Sequence, residues 1–334
     1  MFEQLVQWVE EIKEKNHSSA AALLIIKDGK TVLEHYSGNH SNTKESNPVN
    51  PHSLFNVASA RKSYLGLAAA YALFEGKIKS LDDPAGDYFP EMDQNVLGCT
   101  TIRHLVTHSH GLNEKEDGTV YREFQPGEGW AYRGINVLMV TKLIKKLYGV
   151  PFTKLLQDRV FTPLGFSETG WFTEPLPQLV KVIIHPEEQG MDKIGMTQDG
   201  TESNLFVSAR EFARWGELHL NRGFLDGKQI VPSGVIDIAV NIQSPSYKNK
   251  ELPKNGLFWY VQNEISAAKS EIGGRVPEGS YQILGITGPA LLIIPRYHAV
   301  IVKMFNKRYN YGGENYLYYL REFGSLAADA LSYN

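Results

Sequence analysis

A single cysteine, Cys99, in 334 residues excludes any disulfide within the chain. With no His–Asn pattern near it, the thiol is expected to be buried filler, not a nucleophile. Long apolar runs are missing as well, none approaching the roughly eighteen residues of a membrane span. Blocks of like charge are absent, and a net charge of −3 without a basic stripe leaves no electrostatic footprint for nucleic acid. Neither a Gly-x-x-x-x-Gly-Lys-Ser/Thr phosphate loop nor a Gly-x-Gly-x-x-Gly fingerprint occurs, and no cofactor is expected. The stretch Met1 to Asn16 sets Leu5, Trp8, Val9 and Ile12 on one face with charged residues between them, unlike the apolar core of a signal peptide. The expected location is cytoplasmic, or extracytoplasmic if an N-terminal signal has been removed.

What is present is 42% hydrophobic and 11% aromatic sequence, enough for a large core in one or two domains. After the opening helix, Ala21–Lys27 and Thr31–Tyr36 flank Asp28-Gly29, a two-residue hairpin signal. From Ser59 to about Asn241 the character turns helical. Thr101–His108, Ile135–Tyr148 closed by Gly149 and Pro151, and Ser208–Leu220 stand out. The last opens on a capping box of Ser208 with Glu211 and closes at Gly223. Strand-like runs return at Leu257–Val261, Ala290–Ile294 and Ala299–Val302, before a final helix from about Glu314 to Leu331. An order of β, α, β with helices at both extremities predicts an α/β (α+β) fold. Its antiparallel sheet is built from both chain ends with flanking helices, and a mostly helical subdomain is inserted. The expected division is one catalytic unit, 1–334, with an α/β subdomain over 1–58 and 253–334 and a helical subdomain over 59–252.

The segment richest in chemistry is Ser59-Ala60-Arg61-Lys62. Residues three apart on a helix share a face, so Lys62 can bring its amine to the Ser59 hydroxyl. The run after Lys62 has helical composition and stops near Gly76, as a glycine cap would. Ser59 then falls in the first turn, where free N–H groups and the helix dipole favour an oxyanion and disfavour a charged lysine. Lowering a lysine from about 10.4 to near 7 takes roughly 4–5 kcal/mol, which burial and like-charged neighbours can supply. Alone, the tetrad reads more readily as an N-cap followed by a solvated lysine. Other segments tip the balance.

With Phe55 to Lys62 stand Leu81-Asp82-Asp83-Pro84 before a Tyr-Phe-Pro, Thr101–His108 leading to Gly111-Leu112, and Phe124–Tyr132. Pro163-Leu164-Gly165-Phe166 and Ser208–Arg214 follow. In this order the chain resembles the serine β-lactamase and penicillin-binding-protein superfamily. The likeness is to its class C-like branch of β-lactamases, esterases, D-aminopeptidases and D-Ala-D-Ala carboxypeptidases, and it spans most of the chain. The resemblance implies a β-lactamase/transpeptidase-like fold and Ser59, Lys62 and Tyr132 as catalytic residues. The family's Tyr-x-Asn reads Tyr132-Arg133-Gly134 here, with Gly134 in place of the asparagine, and a phenolate at Tyr132 would need a cationic neighbour such as Lys62. Asn136 is expected to make a local helix contact.

The family's third element, Lys-Thr-Gly or His-x-Gly on a strand, needs a register. At Ile286-Thr287-Gly288 the next residue is Pro289, which has no N–H to give an oxyanion, so that register fails. Ile283-Leu284-Gly285 is followed by Ile286, which has one. The oxyanion hole is therefore assigned to the N–H groups of Ser59 and Ile286, with Gly134, Ile283, Gly285 and Thr287 as substrate-binding positions. Ile283 stands where the family has a cation for a substrate carboxylate. Together with Gly134 this points to an esterase or amidase acting on a less charged acyl donor, a small-molecule ester, amide or peptide, although Arg61, Arg133 or Arg275 could supply the cation from elsewhere. A D-Ala-D-Ala carboxypeptidase or class C-type β-lactamase is the nearest alternative, and a catalytically weak penicillin-recognising binding module the alternative of another class. The stretches Glu114–Glu123 and Tyr247–Lys254 are expected to line the cleft. His104, His108 and His110 lack the glutamate of a zinc helix, so no metal is expected. Asp82-Asp83 reads as a turn or cap.

Overall fold

The computed structural model describes residues 2–263, 267–308 and 316–332. β1 (Ala20–Lys27) and β2 (Lys30–Gly38) form the hairpin that Asp28-Gly29 announces, both turn residues lying at positive φ, 51° and 70°. β3 (Leu54–Asn56) leads into the Ser59 turn. The middle of the chain is less purely helical than expected. It carries the hairpin β4 (Leu112–Glu114) with β5 (Val120–Arg122), the strands β6 (Thr169–Trp171) and β7 (Leu205–Ser208), and the hairpin β8 (Phe224–Leu225) with β9 (Lys228–Gln229). The remaining strands are β10 (Lys254–Asn255), β11 (Tyr260–Val261), β12 (Tyr281–Leu284), β13 (Ala290–Ile294) and β14 (Ala299–Phe305).

The main sheet runs β10-β11-β12-β13-β14-β1-β2 with every neighbour antiparallel, so strands from the two ends of the chain meet where β1 pairs β14. Strand alternation divides the apolar residues between its faces. Ala22, Leu24, Val300, Val302, Leu291 and Ile293 join the larger core on one side, with the helices Lys62–Phe74 and Ala209–Leu220. Ala21, Leu23, Ile25, Ile301 and Leu292 join a second core under the helices Glu3–Lys15 and Tyr316–Ser332, where Trp8 and Phe323 lie ring to ring at 5.6 Å. β3, β7 and β6 make a separate three-stranded sheet.

Helix Lys62–Phe74 is buried along nearly its whole length, which its uninterrupted apolar composition requires. Gly66 permits this: a Cβ there would sit 2.4 Å from the Leu257 carbonyl oxygen. The helix ends at Glu75 with Gly76 at φ 70°. Ile135–Tyr148 is a helix closed by left-handed Gly149. The Ser208–Glu211 capping box is only half made. Ser208 Oγ accepts from the Glu211 N–H at 3.1 Å, but the Glu211 carboxylate accepts instead from Ser167 N (2.7 Å) and Thr169 Oγ1 (2.6 Å) and so ties the helix to β6. Of the run Leu257–Val261 only Tyr260–Val261 is strand, because Phe258 turns the backbone to φ 65°. The start of the last helix, expected at Glu314, lies outside the described residues, as the helix is described from Tyr316. Cys99 is exposed, against the expectation of buried filler. No helix among the described residues is long and apolar enough to cross a membrane.

Candidate active site

Ser59 lies on a 3-10 turn, Ala58–Arg61, that runs straight into the helix beginning at Lys62. The turn follows β3 with Ala58 in the left-handed region at φ 45°, its N–H given to Asn56 Oδ1 at 3.1 Å. The serine thus precedes the α-helix by one tight turn, slightly upstream of the expected first helical turn.

Spacing does what it promises. Lys62 Nζ lies 2.8 Å from Ser59 Oγ and also bonds the Tyr132 hydroxyl. Lys62 is 4% exposed, and burial first, then the like charge of Arg61, holds its ammonium well below the ordinary lysine range; Glu271 opposes them. Burial and Arg61 both favour the uncharged form of the amine beside the alcohol. Tyr132 moves the other way. Burial raises its hydroxyl, outweighing the Ser59 hydrogen bond and nearby Arg61, so it is a phenol and not the phenolate entertained from sequence. Its ring stacks on His108 at 4.9 Å, and Lys62 Nζ sits 4.4 Å from its centre.

A cavity of about 330 Å³ opens over these groups, lined by Ser59, Arg61, Lys62, Tyr132, Gly134 and Ile286 together with Thr201, Ser203 and neighbouring apolar side chains. Gly134 stands at its wall with open space where a side chain would point. Ile286 is 45% exposed, and its N–H finds no acceptor among the described residues. The turn that carries it is fixed from both sides. Gly285 N donates to the Pro289 carbonyl at 2.9 Å, and Thr287 Oγ1 donates to the Asn56 carbonyl at 2.8 Å. Gly285 packs so tightly that a Cβ would lie 2.2 Å from the Val57 oxygen. β12 is thereby docked against the backbone that presents Ser59.

Three of the substrate-binding positions read from sequence need correction. Ile283 is 2% exposed and packs in the larger core opposite Leu291, because alternation along β12 turns it inward. Gly285 and Thr287 serve the docking of the turn and not the cavity wall. The stretches expected to line the cleft stand back from it as well. Glu114–Glu123 folds as the β4–β5 hairpin and reaches the site through Glu123, which pairs with Arg133, while Tyr247 is buried and Lys254 Nζ donates to the Pro245 carbonyl at 2.6 Å.

The histidines have separate tasks. His104 completes a capping box with Thr101, and His110 Nδ1 accepts from Leu112 N at 2.9 Å, its pKa pushed down by burial to about 3. His108, pushed well below the ordinary histidine range chiefly by burial, backs Tyr132 and lies 3.1 Å from Asn136 Nδ2, which also donates to the Leu105 carbonyl at 2.7 Å. Asn136 is thus a bridge between two helices, not a contact within one. Asp82 pairs with Arg103, and Asp83 accepts from Lys79 N, Ser80 N and the Tyr88 hydroxyl.

Sequence reasoning missed Glu271, Thr201 and Ser203. Glu271 lies between β11 and β12, hydrogen-bonded to Tyr260, and loss of water lifts its carboxyl to about 7 against the pull of Tyr260 and Lys62. Nothing in the polar run around any of the three distinguishes it from ordinary loop.

A family model described as Beta-lactamase matches residues 5–324. An uncharacterized protein of Alkalihalophilus pseudofirmus is 42% identical over 330 residues, covering 99% of this chain and 96% of that one. Among solved structures, the D-alanine carboxypeptidase AmpC of Burkholderia cenocepacia superposes with a TM-score of 0.77 at 17% identity, over 98% of this chain and all of that one. EstCE1, a hydrolase with promiscuous acyltransferase activity, superposes with a TM-score of 0.72 at 17% identity over 96% and 98%. At such identities the two structures establish the fold alone.

Proposed function

The chain belongs to the beta-lactamase family and is a serine hydrolase of that class; from that premise we propose that it is an esterase or amidase of the Ser-x-x-Lys type, forming an acyl-enzyme at Ser59. The observation that carries this reading is the buried Lys62 amine 2.8 Å from the Ser59 hydroxyl inside a cavity. Ser59 Oγ attacks the carbonyl carbon as its proton passes to Lys62 Nζ. The Tyr132 hydroxyl, bonded to the same amine, carries that proton on to the departing alkoxide or amine. The N–H groups of Ser59 and Ile286 hold the oxyanion. Water, deprotonated by Lys62, then releases the acyl group. No cofactor enters. The working unit is one catalytic body, with an α/β part over 1–58 and 253–334 and the remainder, 59–252, inserted.

A fluorophosphonate probe is expected to add mass at Ser59 in the wild type and none in Ser59→Ala, with circular dichroism unchanged. Lys62→Ala is expected to slow that labelling by about 10²–10⁴-fold; labelling at the wild-type rate would remove Lys62 as the base. Faster turnover of p-nitrophenyl esters than of nitrocefin separates this reading from a β-lactamase with the same machinery. A pure binding module would gain no covalent mass at all.

A further inference from the structure

Arginines 61, 133 and 275 are the guanidiniums that could face a substrate, and the structure separates them. Arg133 is engaged by Glu123, Nε and Nη2 reaching its two carboxylate oxygens at 3.0 and 2.9 Å. Arg275 is held by Asp329 at 2.8 Å, with Glu322 at 3.9 Å. Arg61 is different. It is half-buried in the cavity wall, two residues from Ser59 on the same turn, and its Nε is shut off from solvent without a hydrogen-bond partner among the described residues. No Asp or Glu lines that cavity, where the two guanidiniums of Arg61 and Arg133 flank the Lys62 amine. A guanidinium stays charged and presents a planar fork of donors; the buried Nε goes unpaired at a cost, while the terminal nitrogens are not among the buried, unpaired atoms. Ile283, in the core, offers no charge. Burial depresses Arg61, with Tyr132 opposing it and no carboxylate beside it.

We infer that Arg61 is the specificity-determining residue of the site, and that the preferred acyl donors are esters or amides bearing a carboxylate close to the scissile carbonyl, which the Arg61 fork grips while Ser59 attacks. A carboxylate bound bidentately by the terminal nitrogens would give the guanidinium the counter-charge that the cavity lacks and fix the carbonyl over the serine. This inference rests on the acyl-enzyme reading above.

The test uses two isosteric pairs, since the carboxylate can sit on either side of the bond. The mono-p-nitrophenyl ester of glutaric acid against p-nitrophenyl valerate places it on the acyl side, and 3-acetoxybenzoate against phenyl acetate on the leaving group. All are measured at the alkaline plateau of each enzyme's pH profile, so that the effect of Arg61 on Lys62 drops out. The wild type is expected to favour the anionic member of at least one pair in kcat/KM by about tenfold or more, the usual weight of a charged hydrogen-bonded pair. Arg61→Gln is expected to bring that ratio to about one, with Arg61→Lys between. If Arg61→Gln does not fold, Arg61→Lys and the wild-type ratio decide. No anionic preference in either pair, or a preference unchanged in the variant, overturns the inference while ester turnover leaves the serine reading standing. Absence of both turnover and Ser59 labelling removes that reading, and the inference with it.

Discussion

At the scale of single residues, Lys62 links function to stability. Its ordinary value is 10.5 and its folded one lies well below, so between the two the unfolded chain binds a proton that the folded chain lacks. Stability therefore climbs as pH rises through that window and levels off near the ordinary lysine value. Replacing the buried amine with the apolar chain of Lys62→Met is expected to stabilise the protein at pH 7 by about 1–2 kcal/mol in urea unfolding, with acylation lost. Glu271 acts on the same amine from a distance. Its charge raises Lys62, so Glu271→Gln should lower the amine further and move the rising limb of the kcat/KM–pH profile for a p-nitrophenyl ester to lower pH. An unmoved or upward-shifted limb would show that the carboxylate has no such influence. The Ser59–Lys62 pair was legible because it needs only helical spacing. Glu271 was not, because its proximity comes from the return of a loop more than two hundred residues along the chain.

At the scale of elements, the turn after β12 is positioned by close backbone packing at Gly285 and by one side-chain bond, Thr287 to the Asn56 carbonyl. Gly285→Ala would push a methyl into the Val57 carbonyl, 2.2 Å from where its Cβ must go. The expected result is a loss of about 1–3 kcal/mol in stability and, through a displaced Ile286, about a hundredfold fall in kcat. A normal kcat in a destabilised variant would confine the glycine to packing. Local signals also explain which elements were readable. The Asp28-Gly29 hairpin and the Ile135–Tyr148 helix have their own punctuation, whereas β6 and β7 are three and four residues long and depend on distant pairing, β7 lying between β3 and β6. The register argument from Pro289 put Ile286 on the cavity, yet gave Ile283 a substrate role that alternation along β12 denies it.

At the scale of the whole molecule, the sheet separates two cores, and the reactive groups belong to the face covered by Lys62–Phe74. Damage to the other face should lower stability without altering the chemistry. Trp8→Ala is expected to cost about 3–5 kcal/mol, read by thermal or denaturant unfolding, with kcat on a p-nitrophenyl ester kept in the protein that remains folded; a matching fall in kcat would mean that the cores are coupled. The order of strand-like and helical segments was enough to anticipate a sheet drawn from both ends. The cavity wall was not, since Thr201 and Ser203 reach it through packing that no local pattern records.

The bond from Thr287 to the Asn56 carbonyl joins positions 231 apart and holds the turn of Ile286 against the backbone that presents the serine. During translation the alcohol and the amine emerge early, but the turn of Ile286 is made only when most of the polypeptide has left the ribosome. On the proposed assignment of the oxyanion hole, a nascent chain carries a nucleophile that cannot yet cut, and hydrolytic competence is expected late in synthesis, with the closing strands.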